Sequence, residues 1–301
     1  MAVTARQQQK QGLAAAIAAF GLWGFLPLYF HAIKGLSPLD IVAHRIVWSF
    51  LLLISILAIR GLLADLWQVM TNRKLFVPLM VSGTLILCNW LIYVWAVAHE
   101  HVLAASLGYF LNPLVNVVLG RLVLSEKLTR AQAISVAIAA AGVAALAFGA
   151  LPTLWISLSL GISFGLYGLI RKMLPVGPLV GLAFETLILM PPCIIWLMHL
   201  VGSGQPFFGS PGVGSAFFMI ASGIITSLPM LLFAYAAHRL TLSTVGLIQY
   251  VAPSTQFIIG VFAFGEPVLP VHMIAFPMIW LALAIYSASA IIAARRSAAN
   301  Q

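Results

Sequence analysis

The sequence predicts an all-α membrane protein of ten transmembrane helices arranged as two inverted five-helix repeats, and three observations lead there. First, 62% of the 301 residues are apolar and only 7% are charged, where an ordinary soluble domain carries roughly a quarter charged residues. So few charges cannot cover a water-facing surface, and most of the surface has to face lipid. Second, the chain holds apolar runs of the length needed, about 20 residues, to cross a hydrocarbon core about 30 Å thick. Third, its two halves repeat each other at a fixed offset.

Ten runs stand out in order: 13–33, 39–59, 75–98, 102–124, 131–149, 152–170, 179–200, 214–237, 243–265 and 269–293. The first follows Arg6 and Lys10 and is too long for the apolar part of a cleavable signal, so it reads as a spanning helix. The connections are short, and none is long enough to make a soluble domain. Function therefore has to be built from the helices and their ends.

The basic residues test the helix count, because Lys and Arg collect on the cytoplasmic side. Arg6, Lys10, Arg60, Arg73, Lys74, Arg121, Lys127, Arg130, Arg171, Lys172, Arg239, Arg295 and Arg296 fall in connections on one side. Lys34 alone falls on the other, and Arg45 lies within a helix. This predicts a multi-pass protein of the bacterial inner (plasma) membrane with both termini cytoplasmic. The same scatter argues against a nucleic-acid partner despite a net charge of +9, since such a partner needs the basic residues gathered on one solvated face. Cys88 and Cys193 sit inside apolar runs without ligand spacing, so no metal or cofactor is expected.

The repeat appears when the chain is shifted by 140 residues. Pro38-Leu39 then meets Pro178-Leu179, Ser82-Gly83 meets Ser222-Gly223, Pro113 meets Pro253, Gly120 meets Gly260, and Glu126 meets Glu266. At a shift of 144, Phe20-Gly21-Leu22-Trp23-Gly24 meets Phe164-Gly165-Leu166-Tyr167-Gly168. Leu and Ala matches are cheap in such a chain, whereas Pro, Gly and Glu matches in one register are not. The boundaries that follow are 1–149 and 150–301. Five helices per copy is an odd number, so the second copy sits upside down, an architecture characteristic of secondary transporters. A bundle duplicated only for stability is the alternative.

Within the spans, Pro113 and Pro253 each remove a backbone donor and free the carbonyl four residues earlier, at Tyr109 and Gln249. Asn112, Asn116, Gln249, Ser254, Thr255 and Gln256 lie nearby. Kinked, polar backbone at membrane depth suits a substrate site or hinge, although a proline kink that only aids packing is the competing reading. Ionisable groups inside a bilayer are costly and point to function. Asp40 and His44 share a helical face. Arg45 suggests an anchor for an anionic group, or a residue snorkelling to the interface. Glu185, its repeat equivalent, suggests a proton- or cation-binding carboxylate, or a hydrogen-bonded structural one. Each lies about 9 Å from an opposite membrane surface, leaving a vertical gap of about 12 Å, so the two are not expected to touch. Glu126 and Glu266 read as helix caps, and His99, Glu100 and His101 as a solvated turn. Trp23, Trp90, Tyr93, Trp95, Tyr109, Tyr167, Tyr235 and Tyr250 fit either a cavity wall or an interfacial belt. Gly161 and Gly165 read as close helix packing.

Several motifs carry a resemblance over nearly the whole chain. They are His44-Arg45-x-x-Trp48-Ser49-Phe50, Asn89-Trp90-Leu91 with Trp95-Ala96-Val97, and Ala105-Ser106-Leu107-Gly108-Tyr109-Phe110-Leu111-Asn112-Pro113-Leu114-Val115-Asn116. Tyr167-Gly168-Leu169-x-Arg171-Lys172 and Leu242-Ser243-Thr244-x-Gly246-x-x-Gln249-Tyr250 with Pro253 continue the series. The sequence resembles the EamA branch of the drug/metabolite transporter superfamily. That resemblance implies two inverted EamA repeats around a central cavity and export of a metabolite or drug-like compound, with a link to chloramphenicol sensitivity. The family often has Glu just before its Ala-Ser-Leu-Gly-Tyr stretch, where this chain has Ala104, so a coupling role for that carboxylate does not carry over.

The expected pathway residues are Trp23, His44, Arg45, Asn89, Trp90, Tyr93, Tyr109, Asn112, Tyr167, Glu185, Gln249 and Tyr250, with Pro113 and Pro253 as hinges. The expected partners are a small-molecule substrate, the lipid bilayer and, as one option, a second copy of the chain. A membrane-embedded enzyme would need a nucleophile with a base or a metal cluster at depth; the sequence has no His-Glu-x-x-His and no neighbouring carboxylates in one helix. A channel for a small solute uses similar residues and stays open as a reading.

Overall fold

The computed structural model describes residues 5–33, 37–98, 102–148, 154–208, 213–265 and 270–299. Among these residues the regular structure is helical throughout: α1 (Ala5–Gly24), α2 (Leu26–Ala32), α3 (Pro38–Ile59), α4 (Leu63–Thr71), α5 (Arg73–Ala98), α6 (Val102–Leu122), α7 (Arg130–Phe148), α8 (Leu154–Met173), α9 (Pro178–Gly202), α10 (Val213–Ala237), α11 (Leu242–Gln249), α12 (Val251–Phe264) and α13 (Pro270–Ala299). Eight stretches of the described chain are long and apolar enough to cross a membrane, and Leu107–Leu122 and Met273–Tyr286 are shorter apolar helices. The outward side chains are those of a lipid-facing surface, with Ile59, Phe148 and Phe262 exposed by 85%, 76% and 84%.

Each apolar run of the sequence is helical over most of its length, but two are broken. The first run divides at Phe25 into α1 and α2, because Pro27 cannot donate to Trp23 O. Gln256 Nε2 supplies that carbonyl with a donor instead, at 3.0 Å. The ninth divides at Tyr250 into α11 and α12, just ahead of Pro253. There Tyr250 N bonds Leu247 O at 3.2 Å, the tighter turn of a helix end. The fourth run, α6, continues through Pro113 as one helix. Equivalent prolines thus have unequal effects.

The connection read as a plain loop between the second and third runs contains α4. Its Leu66 and Val69 are buried, whereas Trp67 is 66% exposed. Two apolar faces on a nine-residue helix suit a segment lying at the membrane interface, one face on protein and one on lipid. The segment is too short and too mixed in composition to register as a span.

Helices in lipid associate through close packing rather than a hydrophobic drive, and glycine sets the approaches here. A Cβ on Gly165 of α8 would lie 2.6 Å from Val115 Cγ1 of α6, and one on Gly108 of α6 would lie 2.8 Å from Leu160 Cβ. A Cβ on Gly223 of α10 would meet the Trp48 backbone of α3 at 2.7 Å. Its repeat equivalent Gly83 of α5 faces Ile188 of α9, the equivalent of Trp48, at 3.0 Å. The close helix pairs are α6 with α8, α7 with α13, α3 with α10 and α9, α8 with α5, α1 with α10 and α12, and α6 with α11. One core surrounds α1, α3, α8, α9 and α10, and a second joins α6, α7, α11 and α13.

Because backbone cannot yield as a side-chain tip does, Gly223→Ala is expected to destabilise the bundle by about 1–3 kcal/mol. Gly21→Ala, where nothing lies within 4 Å, should be neutral or slightly stabilising. Thermal midpoints of the two purified variants in the same detergent check this; equal midpoints would contradict the packing.

Candidate functional site

The two intramembrane charges of the sequence lead to two different environments. Arg45 lies two turns into α3, about 10 Å along the helix from its start. Its Nε donates to Thr226 Oγ1 of α10 at 2.8 Å. Its guanidinium carbon stands 5.0 Å from the Trp90 ring centroid. The hydroxyls of Tyr29, Tyr109 and Tyr93 are within electrostatic reach of it, and the Tyr93 and Tyr109 rings lie 5.8 Å apart. Arg45, Trp90, Tyr93 and Tyr109 are each only partly buried. Among the described residues no carboxylate pairs with Arg45.

Glu185 on α9 is sealed. It is 1% exposed; its Oε1 accepts from Ser82 Oγ at 2.5 Å, and its Oε2 accepts from Tyr167 OH at 3.3 Å. Arg171 Nη1 stands 3.8 Å from Oε1, and both side chains are buried. Space for that guanidinium comes from Gly181, one turn before Glu185, where a Cβ would stand 1.7 Å from Nη1. Arg171 Nη2 donates to Pro178 O at 3.2 Å. Arg45 and Glu185 thus have separate partners.

Tyr167 leads from Glu185 into an aromatic cluster, stacking on Phe233 at 6.0 Å. Trp23 packs there on Phe20, Phe164 and Phe233 with centroids 5.5, 5.9 and 6.0 Å away. Trp23 and Tyr167, expected along a pathway, are thus held in a packed group of rings drawn from α1, α8 and α10.

The other expected residues divide by role. His44 follows α3 onto a different face from Arg45, since successive helical residues point about 100° apart. Its Nε2 donates to Phe207 O at 2.7 Å, and its ring packs against Phe207 and Phe208. It does not join the Arg45 group. Asp40 accepts from Trp196 Nε1 at 3.0 Å. Asn89 donates to Leu160 O and Ser163 Oγ, both at 2.9 Å, and so ties α5 to α8. Asn116 Nδ2 donates to Gln249 Oε1 at 3.1 Å across the α6–α11 contact. Both amide atoms of Asn112, beside Gly161 of α8, and the Tyr250 hydroxyl at the break between α11 and α12 are buried without a protein partner. A Cβ on Gly246 would meet Pro113 O at 2.9 Å, so the two proline regions touch.

Glu126 accepts from Leu242 N at 2.6 Å, Ser243 N at 3.0 Å and Ser243 Oγ at 2.8 Å. It therefore caps the N-terminus of α11. Glu266, His99, Glu100, His101 and Lys34 lie outside the described residues. Among the described residues no group of His, Cys, Asp and Glu is placed to hold a metal ion; Cys88 and Cys193 are free thiols. Gly161-Ile162-Ser163-Phe164-Gly165 has the spacing of a hydrolase nucleophile motif. It lies inside α8 rather than on the strand-to-helix turn which that chemistry uses. Ser163 Oγ donates to Ser159 O at 2.6 Å, so the motif serves helix packing.

Arg171, Ser82 and Thr226 are the site residues that the sequence did not single out. Its position among basic residues places Arg171 with the connections, yet it belongs to α8 and is 1% exposed. One signal was available. The turn joining α8 to α9 is short, so Arg171 near the end of one helix and Glu185 two turns into the next lie within an arginine's reach. Lys172 likewise turns inward, donating to Ala237 O at 3.1 Å and to Leu240 O. Just past α10, burial and then the charges of Arg171, Arg239 and Lys172 hold the His238 imidazole below the usual histidine range.

A polytopic helical bundle with charged groups and broken helices at membrane depth is the architecture of a membrane transporter. Residues 10–148 match the EamA-like transporter family. Protein RarD of Streptomyces exfoliatus is 41% identical over 98% of this chain and 94% of its own length. Protein RarD of Escherichia coli (strain K12) is 40% identical over 97% and 98%. The chain belongs to the EamA family, among its RarD proteins. A solved crystal structure, 19% identical, covers 95% of this chain and 98% of its own with a TM-score of 0.71, which shows a shared fold.

A buried pair loses more when one partner goes than when both do. Arg171→Leu alone is expected to cost about 3–5 kcal/mol, and Arg171→Leu with Glu185→Leu distinctly less. Thermal unfolding of both single variants and the double variant in detergent measures the coupling; additive losses would mean the two charges do not interact.

Proposed function

We propose that this chain is a secondary-active exporter of a small metabolite or drug-like compound, built as two inverted five-helix EamA repeats over 1–149 and 150–301. The observation that carries the reading is the unequal state of equivalent positions. Arg45 borders accessible space, while Glu185, its repeat equivalent, is sealed with Ser82, Tyr167 and Arg171. Inverted repeats that hold different conformations produce a cavity open at one face and shut at the other.

Helix contacts support the equivalence of the two repeats. Take α1–α2, α3, α5, α6 and α7 as the spans of one repeat and α8, α9, α10, α11–α12 and α13 as those of the other. Exchanging the repeats turns the α6–α8 contact into α1–α12, α3–α10 into α5–α9, and α5–α8 into α1–α10, and all of these contacts occur. The positive-inside bias puts both termini and the α8–α9 turn in the cytoplasm. The Arg45 chamber then faces outward, and the aromatic cluster with the Arg171–Glu185 pair forms the inner gate. Ten crossings in the bacterial inner membrane follow.

Opening the inner gate requires the aromatic rings to part and the buried pair to separate. A proton taken up by Glu185 would cancel the charge that holds Arg171 and lower that cost, so Glu185 is the coupling residue in this proposal. Pro113 and Pro253, whose regions meet through Gly246, supply the hinge. A channel would need a continuous path, which the packed rings oppose.

Efflux from proteoliposomes against a metabolite and antibiotic panel that includes chloramphenicol is expected to saturate and to show counterflow. Glu185→Gln should keep exchange while losing the response to an imposed pH gradient; an unchanged response would remove Glu185 from coupling. For topology, a cysteine at Gln205 in a cysteine-free background should react with an impermeant maleimide in intact cells, and one at Arg73 only after permeabilisation. The reverse pattern contradicts the inverted arrangement.

A further inference from the structure

Resting on that transport reading, the geometry points to the substrate class: we propose that the Arg45 chamber binds organic anions carrying an aromatic ring, with the carboxylate or equivalent oxyanion on the Arg45 guanidinium and the ring against Trp90, Tyr93 and Tyr109.

Arg171 provides the internal comparison. It is buried, has a carboxylate at 3.8 Å and a carbonyl at 3.2 Å, and lies in a niche that Gly181 makes for it, while its Nε and Nη1 make no hydrogen bond. That is how this bundle treats a structural arginine. Arg45 differs on each count. One donor, Nε, goes to Thr226, which fixes the direction of the guanidinium plane. Among the described residues no carboxylate pairs with it and no other hydrogen-bond partner meets it, and its side chain keeps accessible surface. A guanidinium held in hydrocarbon without a counter-ion carries an unmet electrostatic cost. Oriented through Nε and only partly buried, it has its remaining donors in the fork geometry that matches a carboxylate.

The surroundings set the rest of the ligand. Trp90 and Tyr93 are three residues apart on α5 and share a helical face, and Tyr109 of α6 stands 5.8 Å from Tyr93. Three rings around one cation, with Tyr93 and Tyr109 tilted by 58°, make an apolar surface suited to edge and face contacts with an aromatic body. Among the described residues no acidic side chain is positioned to neutralise a substrate amine: Asp40 accepts from Trp196, Glu185 lies with Arg171, and Glu126 caps α11. A cationic ligand would meet Arg45 unopposed. Charge and shape therefore select an aromatic anion.

Binding of three matched probes to the full chain in nanodiscs at about pH 7.5, where the acid is ionised and the amine protonated, tests this. The probes are 3-phenylpropionate, 3-phenylpropionamide and 3-phenylpropylamine, followed by tryptophan fluorescence and by thermal midpoint. The carboxylate should saturate and bind at least about tenfold more tightly than the amide or the amine, as loss of a charge-assisted hydrogen bond implies. Arg45→Gln should weaken the carboxylate about tenfold or more and leave the amide unchanged. Arg45→Lys should keep a reduced preference for the carboxylate, and it decides the matter with the ligand series if Arg45→Gln does not fold. Equal or tighter binding of the amide or amine, undiminished carboxylate binding by Arg45→Gln, or no saturable binding of any probe overturns the assignment. Counterflow of labelled 3-phenylpropionate in proteoliposomes separates the two readings. Binding without flux overturns transport and leaves the anion site standing; chloramphenicol flux with no preference for the anion overturns the anion site alone.

Discussion

Hydrocarbon supplies no hydrogen bonds, so every donor, acceptor and charge carried into the membrane must find its partner within the bundle. That constraint explains most of the unusual contacts in this structure. Pro27 frees the Trp23 carbonyl, and Gln256 reaches across from α12 to bond it. The open N-terminus of α11 is met by the Glu126 carboxylate, for which Gly120 leaves room. A carbonyl at the end of α10 takes the Lys172 ammonium. In each case a side chain far away in sequence completes a broken or ending helix, and the repair fixes how two helices sit together.

The same constraint makes the exceptions informative. Both amide atoms of Asn112, against α8, and the Tyr250 hydroxyl at the break between α11 and α12 are unpartnered. Arg45 is only partly buried. Polar groups left in this condition are costly, and they occur in other parts of the bundle too, at Arg171 Nε and Nη1, Ser227, His238 and Arg239. Around Glu185, by contrast, both carboxylate oxygens are met. The two charges, which match in the sequence at the repeat offset, are thus satisfied differently.

Packing by glycine gives the bundle its tolerance for this. Gly83 and Gly223 occupy equivalent positions and let equivalent helix pairs approach closely. Contacts of this kind depend on shape rather than on particular polar links. The ninth run breaks at Tyr250, while α6 continues through the matching proline.

The sequence by itself determined that the chain lives in lipid, where its apolar runs fall, that its halves match at a fixed offset, and which few residues carry charge or free a carbonyl at depth. These follow from composition, run length and residue identity, all of which are local. Glu126 as a cap and Gly161 with Gly165 as a packing face were legible for the same reason. Only the tertiary structure decided which way each side chain faces and what it meets. In a span that is apolar all round, no amphipathic stripe distinguishes the lipid side from the protein side. So His44 could not be separated from Arg45, Arg171 could not be told from a loop cation, and the cluster of Phe20, Trp23, Phe164, Tyr167 and Phe233 could not be assembled from three helices. The partner of a buried charge is set by helix crossing, and crossing is a property of the folded bundle alone.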